Sequence, residues 1–307
     1  MSNVEFGWFF PDTDGTPAGR ANYVENCDRH LVAVTGHFTS AWMADHMQFD
    51  RNDVLEGWTQ LTYFAARHAD LRFGHAVLCQ SYRNPALLAK MAATFQFLSG
   101  GRFIFGLGAG WHEPEYKAYN YPFPSAGARV EELEETLAIC KALWTGEEAT
   151  FTGKHYSVHG AICVPPALPT PLVMIGGRRP RMLRFIAKEA DWWDVSGFGV
   201  PREDYSAIAD EMERACTEVG RDPATLRRTF SCECACASTE AELAELTKDM
   251  RPGMGLVGTP QQIIEQVAQF AEAGVSHFQL AFRGFPETAP LELFIAEVLP
   301  GLKAENA

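Results

Sequence analysis

Phe103-Ile104-Phe105-Gly106-Leu107-Gly108-Ala109-Gly110-Trp111 is the stretch that decides the fold. Phe103 to Leu107 is a continuous apolar run, so it reads as a strand buried on both faces. Glycines follow at once, where a strand would end and a ligand or a tight turn would need close approach of the backbone. Upstream, Asn84-Pro85 supplies an N-cap and a proline at the first helical position. The stripe Leu88, Met91, Ala92, Phe95 and Leu98 follows, and Gly100-Gly101 stops it. Downstream, Val130, Leu133, Leu137, Cys140 and Trp144 recur at helical spacing, with Glu131, Glu132, Glu134 and Glu135 near the expected start of that helix. The pattern is helix, buried strand, helix, as in a parallel sheet covered by helices.

The same alternation extends along the chain. Strands are predicted at Val4 to Phe10, Phe38 to Ala44, Leu71 to Cys79, Phe103 to Leu107, Leu172 to Ile175, Trp192 to Val195, Thr229 to Ala237 and Val275 to Phe282. Further helices are predicted from Thr259-Pro260 to Gly274, and over Pro180 to Lys188, Glu203 to Val219 and Pro290 to Leu299. Eight strands each followed by helix is the count of a (β/α)8 TIM barrel. Thr150 to Pro171 fits a hairpin and loop inserted before the fifth strand. At about 150 residues per domain, 307 residues would suggest two. No linker or repeat divides the chain, so a single barrel domain over 1–307 is expected.

Composition narrows the function classes. Apolar residues make up 47% and charged residues 21%, ordinary for a globular protein and unlike a disordered one. With 26 Lys and Arg against 39 Asp and Glu, the net charge is −13, which repels phosphate backbones and anionic membranes. No run approaches the length of a membrane span. Met1 to Phe6 carries no basic, apolar leader pattern, so a cytoplasmic setting with eight free thiols is expected. Cys232, Cys234 and Cys236 alternate and would share one strand face. Buried packing is the commoner use of such thiols, and no metal site is expected. His155 and His159 sit in hairpin-like sequence, which also speaks against a zinc site.

In a barrel of this kind the chemistry follows the C-terminal ends of the strands. Asp45-His46 follows the second strand, and a histidine there is suited to acid/base work near neutral pH. His75 lies inside the third strand and reads as a core residue. Gly106 to Gly110 lacks the immediate helix and downstream acid of a dinucleotide fingerprint. Gly176-Gly177-Arg178-Arg179-Pro180 leads into a helix, where free N–H groups and two arginines suit an anion. No Ser-His-Asp arrangement or G-x-S-x-G turn supports hydrolysis.

These residues carry a resemblance. Leu71 to Tyr116, together with Trp42 to His46, Phe151 to Tyr156, Ile175-Gly176-Gly177 and Ala190 to Trp193, strongly resembles the bacterial luciferase-like flavin and deazaflavin oxidoreductases, nearer their F420-dependent branch. The likeness runs from about Phe6 to Phe282. It implies a TIM barrel holding coenzyme F420, or alternatively FMN, with the phosphate at Gly176, Gly177 and Arg178. The ring would lie near Ala76, Val77, Ala109 and Gly110, and the Ala76-Val77 peptide would be cis. His46, with Asp45, would stand at the reacting face. The F420-dependent sugar-phosphate dehydrogenases place a glutamate after the glycine run and a tryptophan past the histidine. Trp111 and Asp50 stand there in this chain.

The leading expectation is therefore hydride transfer between F420 and a small organic molecule, with His46 moving the proton. An FMN-dependent monooxygenase and a flavin-binding barrel without turnover are the alternatives. Trp8, Trp111 and Phe285 could wall an apolar substrate pocket, whereas Trp42, inside a strand, is core. The resemblance also implies a homodimer, to which Leu61, Phe64, Met91 and Phe95 could contribute, although core packing explains them as well.

Overall fold

The computed structural model describes residues 4–13 and 15–304. Its elements run β1 (Glu5–Phe9), α1 (Pro17–Val34), β2 (Ser40–Met43), α2 (Gly57–Arg67), β3 (Arg72–His75), β4 (Leu78–Cys79), α3 (Pro85–Leu98) and β5 (Phe103–Gly108). They continue with α4 (Glu113–Ala118), α5 (Ala126–Trp144), β6 (Ala149–Thr152), β7 (Ser157–Ala161), β8 (Leu172–Gly176), α6 (Pro180–Glu189), β9 (Trp192–Ser196) and α7 (Tyr205–Glu218). The last are β10 (Arg227–Cys236), α8 (Glu240–Thr247), β11 (Leu256–Gly258), α9 (Pro260–Glu272), β12 (Val275–Phe282), α10 (Ala289–Leu293) and α11 (Leu299–Ala304). This is the alternation of a (β/α)8 TIM barrel, with all eight expected strands present and parallel, and with the β6–β7 hairpin inserted before the fifth. The expected third strand is interrupted at Ala76-Val77, whose peptide bond is cis, and so appears as β3 and β4. Among the described residues, no helix is long and apolar enough to cross a membrane.

The chain divides into two compact units, one running up to Trp42 and again from Gly177 onward, the other spanning Met43–Gly176. In the first, β12 lies between β1 and β10, β1 also pairs with β2, and β10 also pairs with β9 and β11, all in parallel. Side-chain alternation sorts the strand residues. Phe6 packs on Phe278 and Phe294, and Phe230 on Tyr205 and Phe270, so this parity faces the helices. Cys232, Cys234 and Cys236 share the parity of Phe230, are fully buried, and have their thiols pushed up by desolvation. They are wall residues, as expected. The opposite parity carries a buried polar layer: His277 Nε2 lies 2.9 Å from Ser40 Oγ, and Asp194 accepts from Thr229 at 2.8 Å and Ser231 at 3.2 Å. Arg221 gathers the carbonyls of Ala187 and Ala190 at the end of α6.

In the second unit β5 pairs with β3, β4 and β8. Asn84 caps α3, and Gly100 and Gly101 end it with positive φ. Leu61, Phe64 and Phe95 are buried here as core. Arg102 reaches the carbonyls of Ala65, His68 and Leu71, tying the end of α2 to the start of β3. The glutamate run of α5 departs from expectation. Ser125 caps the helix a turn earlier, and Glu135 is not a solvated charge: it accepts the backbone N–H groups of Lys154, His155 and Tyr156. A turn without carbonyl partners offers its N–H groups to a carboxylate, so this glutamate anchors the inserted hairpin.

Candidate active site

The loop after β2 begins with Asp45 and His46. Asp45 is held on every side. Its carboxylate accepts both terminal nitrogens of Arg83, at 2.7 and 2.8 Å, and the Cys79 N–H at 2.9 Å, with the side chain only 2% exposed. Arg83 also reaches Glu56 at 2.6 Å, and Glu56 caps α2 by accepting from Trp58 and Thr59. Burial would lower the Arg83 pKa, but the two carboxylates outweigh it and raise it. The loop is thus pinned at its first residue and at its last through one bidentate guanidinium.

His46 is held by a residue that the sequence did not single out. Its Nδ1 lies 3.0 Å from Glu115 of α4. Glu115 is fully buried and also accepts the Tyr82 hydroxyl at 2.7 Å, the Gln48 N–H at 2.9 Å and the Met47 N–H. Burial pushes its carboxyl up, but the bonds from His46, Tyr82, Gln48 and Met47 prevail and hold it at about 2. A carboxylate that stays ionised can only accept, so His46 carries a proton on Nδ1, and Nε2 takes no part in this bond. The sequence signal was slight: Glu113-Pro114-Glu115-Tyr116 marks a short helix, but Glu115 resembles the exposed Glu113 beside it. The backbone donors of Met47 and Gln48 leave no mark in a sequence.

Around His46 stand three more rings. Phe49 lies 5.1 Å away by centroid, His112 6.1 Å, and Trp111 6.2 Å with its plane perpendicular. Phe49 and Trp111 each also touch His112, at 4.9 and 5.0 Å. Trp111 is 65% exposed.

The strand ends nearby are small and uncharged. Ala76, Val77, Ala109, Gly110 and Gly176 are partly exposed where otherwise buried strands stop. Val77 stands over two glycines, since a Cβ on Gly108 or Gly176 would meet its side chain at 2.5 and 3.1 Å. Gly110 has φ +75°, and a Cβ there would strike the Tyr116 hydroxyl. Strand ends without charge or large side chains, at glycines where a Cβ would meet a neighbour, fit the close approach of a planar flavin or deazaflavin ring.

The remaining expected site residues fall in the other unit. Gly177 and Arg178 lie between β8 and α6, with Arg178 exposed. Trp8 is 1% exposed and stacks on His30 of α1 at 5.5 Å, while Phe285 lies 5.1 Å from the same histidine. These two rings pack the α1 layer. His75 is a buried core residue stacked on Trp58, its pKa lowered to about 4 by desolvation.

Comparison with known proteins identifies related chains. The chain is 32% identical to a phthiodiolone/phenolphthiodiolone dimycocerosates ketoreductase of Mycobacterium sp. (strain JLS), over 79% of this chain and 70% of the relative. It is 26% identical to an F420-dependent glucose-6-phosphate dehydrogenase of Intrasporangium calvum, over 91% and 95%. In fold it is similar to an F420-dependent secondary alcohol dehydrogenase solved with an F420-acetone adduct, at a TM-score of 0.83 and 16% identity, over 98% and 99% of the two chains. The family described as luciferase-like monooxygenase matches residues 4–254. The chain belongs to this luciferase-like family of oxidoreductases and monooxygenases.

Proposed function

We propose that the protein is an F420-dependent oxidoreductase that interconverts a carbonyl and a hydroxyl on a small organic substrate, with His46 as acid/base. The observation that carries this reading is the His46–Glu115 pair. A permanently ionised buried acceptor fixes the imidazole tautomer and leaves Nε2 to give or take the substrate proton. Asp45 acts differently. Its oxygens are committed to Arg83 and Cys79, so it positions the loop and exchanges no proton. When bound, the deazaflavin supplies a hydride acceptor or donor at its ring carbon. Ala76, Val77, Ala109 and Gly110 are the residues we assign to its ring. Gly176, Gly177 and Arg178 are assigned to its phosphate, by their place in the chain at the end of β8 and before α6. The sequence relatives named for F420 dependence support this cofactor.

Titration of the apo-protein with F420 and with FMN, followed by fluorescence, tests the cofactor. Micromolar or tighter F420 binding is expected, and FMN binding with none of F420 would overturn the reading. His46→Ala should keep F420 affinity while turnover falls by about 10²–10⁴. Unchanged turnover would remove His46 from the reaction.

A further inference from the structure

The surroundings of His46 also specify what kind of molecule it serves. The rings nearest to it are Phe49, Trp111 and His112, and Trp111 presents most of its surface to solvent. An indole left exposed beside a proton-exchanging histidine offers apolar area to a ligand. The charges nearby are as informative. Residues 45–56 hold Asp50 and Asp53 beside Arg51, in addition to Asp45 and Glu56, which share Arg83. The cations on the other strand-end loops of this unit are already engaged. Arg83 is bound by Asp45 and Glu56, and Lys117 by Glu113 at 2.9 Å. Arg129 donates to the carbonyls of Gly110 and Pro124 and lies 4.0 Å over the Phe123 ring. An anionic substrate would meet guanidiniums that already have partners, whereas recognition of phosphate calls for free, converging ones.

We propose that this site takes an uncharged ketone or secondary alcohol with an aromatic or alkyl group seated on Trp111 and Phe49, and that it rejects phosphorylated sugars. The inference rests on the oxidoreductase reading above. In the reducing direction the carbonyl carbon gains a hydride from the reduced deazaflavin and the C=O π bond breaks. The oxygen takes the Nε2 proton of His46 in its doubly protonated form, leaving the neutral imidazole with its Nδ1 proton hydrogen-bonded to Glu115, and a proton from water restores the imidazolium. The ketone is reduced to the alcohol and the deazaflavin is oxidised, two electrons passing.

The test compares acetophenone with F420H2, and 1-phenylethanol or glucose 6-phosphate with F420, in the holoenzyme. Calorimetric binding of acetophenone and of glucose 6-phosphate to the apo-protein runs alongside. The expected result is a kcat/KM at least about 100-fold higher for the aromatic alcohol than for the sugar phosphate. Trp111→Glu should raise KM for acetophenone by about tenfold or more, weaken its calorimetric binding equally, and leave F420 affinity unchanged. Arg51→Ala should leave all constants as in the parent. Preferred binding or turnover of glucose 6-phosphate, or its loss in Arg51→Ala, would overturn the proposal. So would acetophenone binding that ignores Trp111→Glu. Failure to bind F420 defeats the cofactor reading alone, and acetophenone binding to the apo-protein still decides the substrate class.

Discussion

Each unit buries a carboxylate, and the two are driven in opposite directions. Glu115 receives two backbone N–H groups, a phenol and an imidazole, and stays ionised down to about 2. Asp194 receives two hydroxyls, from Thr229 and Ser231; desolvation outweighs them and raises its pKa to about 7. Burial alone therefore does not fix the charge of an acid. Donor number and kind decide it, because an ionised oxygen must recover inside the protein what it loses in water. Glu115 is held as an anion beside His46, as the proposed reaction requires. Asp194 is driven toward its neutral form.

Glu115→Ala is expected to have the largest effect. It strands four donors and should cost about 3 kcal/mol or more in urea unfolding, with turnover lost as His46 loses its orientation. A stability like that of the parent would mean that water replaces the carboxylate. Asp194→Asn should act in the other direction. Its raised folded pKa means that Asp194 contributes stability fully present below its unfolded value of about 4 and lost as pH rises through about 7. The variant should therefore be the more stable by an amount of order 1 kcal/mol at pH 8, with the gain vanishing toward pH 4 in thermal melts. A pH-independent difference would show that Asp194 titrates normally. Tyr82→Phe removes one of four donors from Glu115 and should cost about 1 kcal/mol without shifting F420 affinity.

Much of the fold is legible in the sequence. Continuous apolar runs such as Phe103 to Leu107 and Leu172 to Ile175 mark buried strands, and Asn84-Pro85 and Thr259-Pro260 mark the helix starts observed. Helix α1 is not legible in this way, because its buried face includes Asn26 and His30 beside Tyr23, Leu31 and Val34, and the polar members break the stripe. Of the candidate site, two residues singled out in the sequence are brought together. His46 and Trp111 do meet in one cluster, with Asp45 pinning the loop beside them. Glu115 and Glu135 were hidden for a common reason: each is a surface-looking glutamate whose partners are backbone amides from distant sequence.

Arg102 has a consequence for redesign. By holding three carbonyls between α2 and β3 it fastens this unit at the strand beginnings, and Arg221 fastens α6 in the same manner in the other unit. Catalysis is proposed for the opposite ends of the strands. The loops bearing Phe49 and Trp111 can therefore be exchanged for others while both clasps remain, which makes the fold a chassis whose specificity is replaceable without rebuilding its foundation.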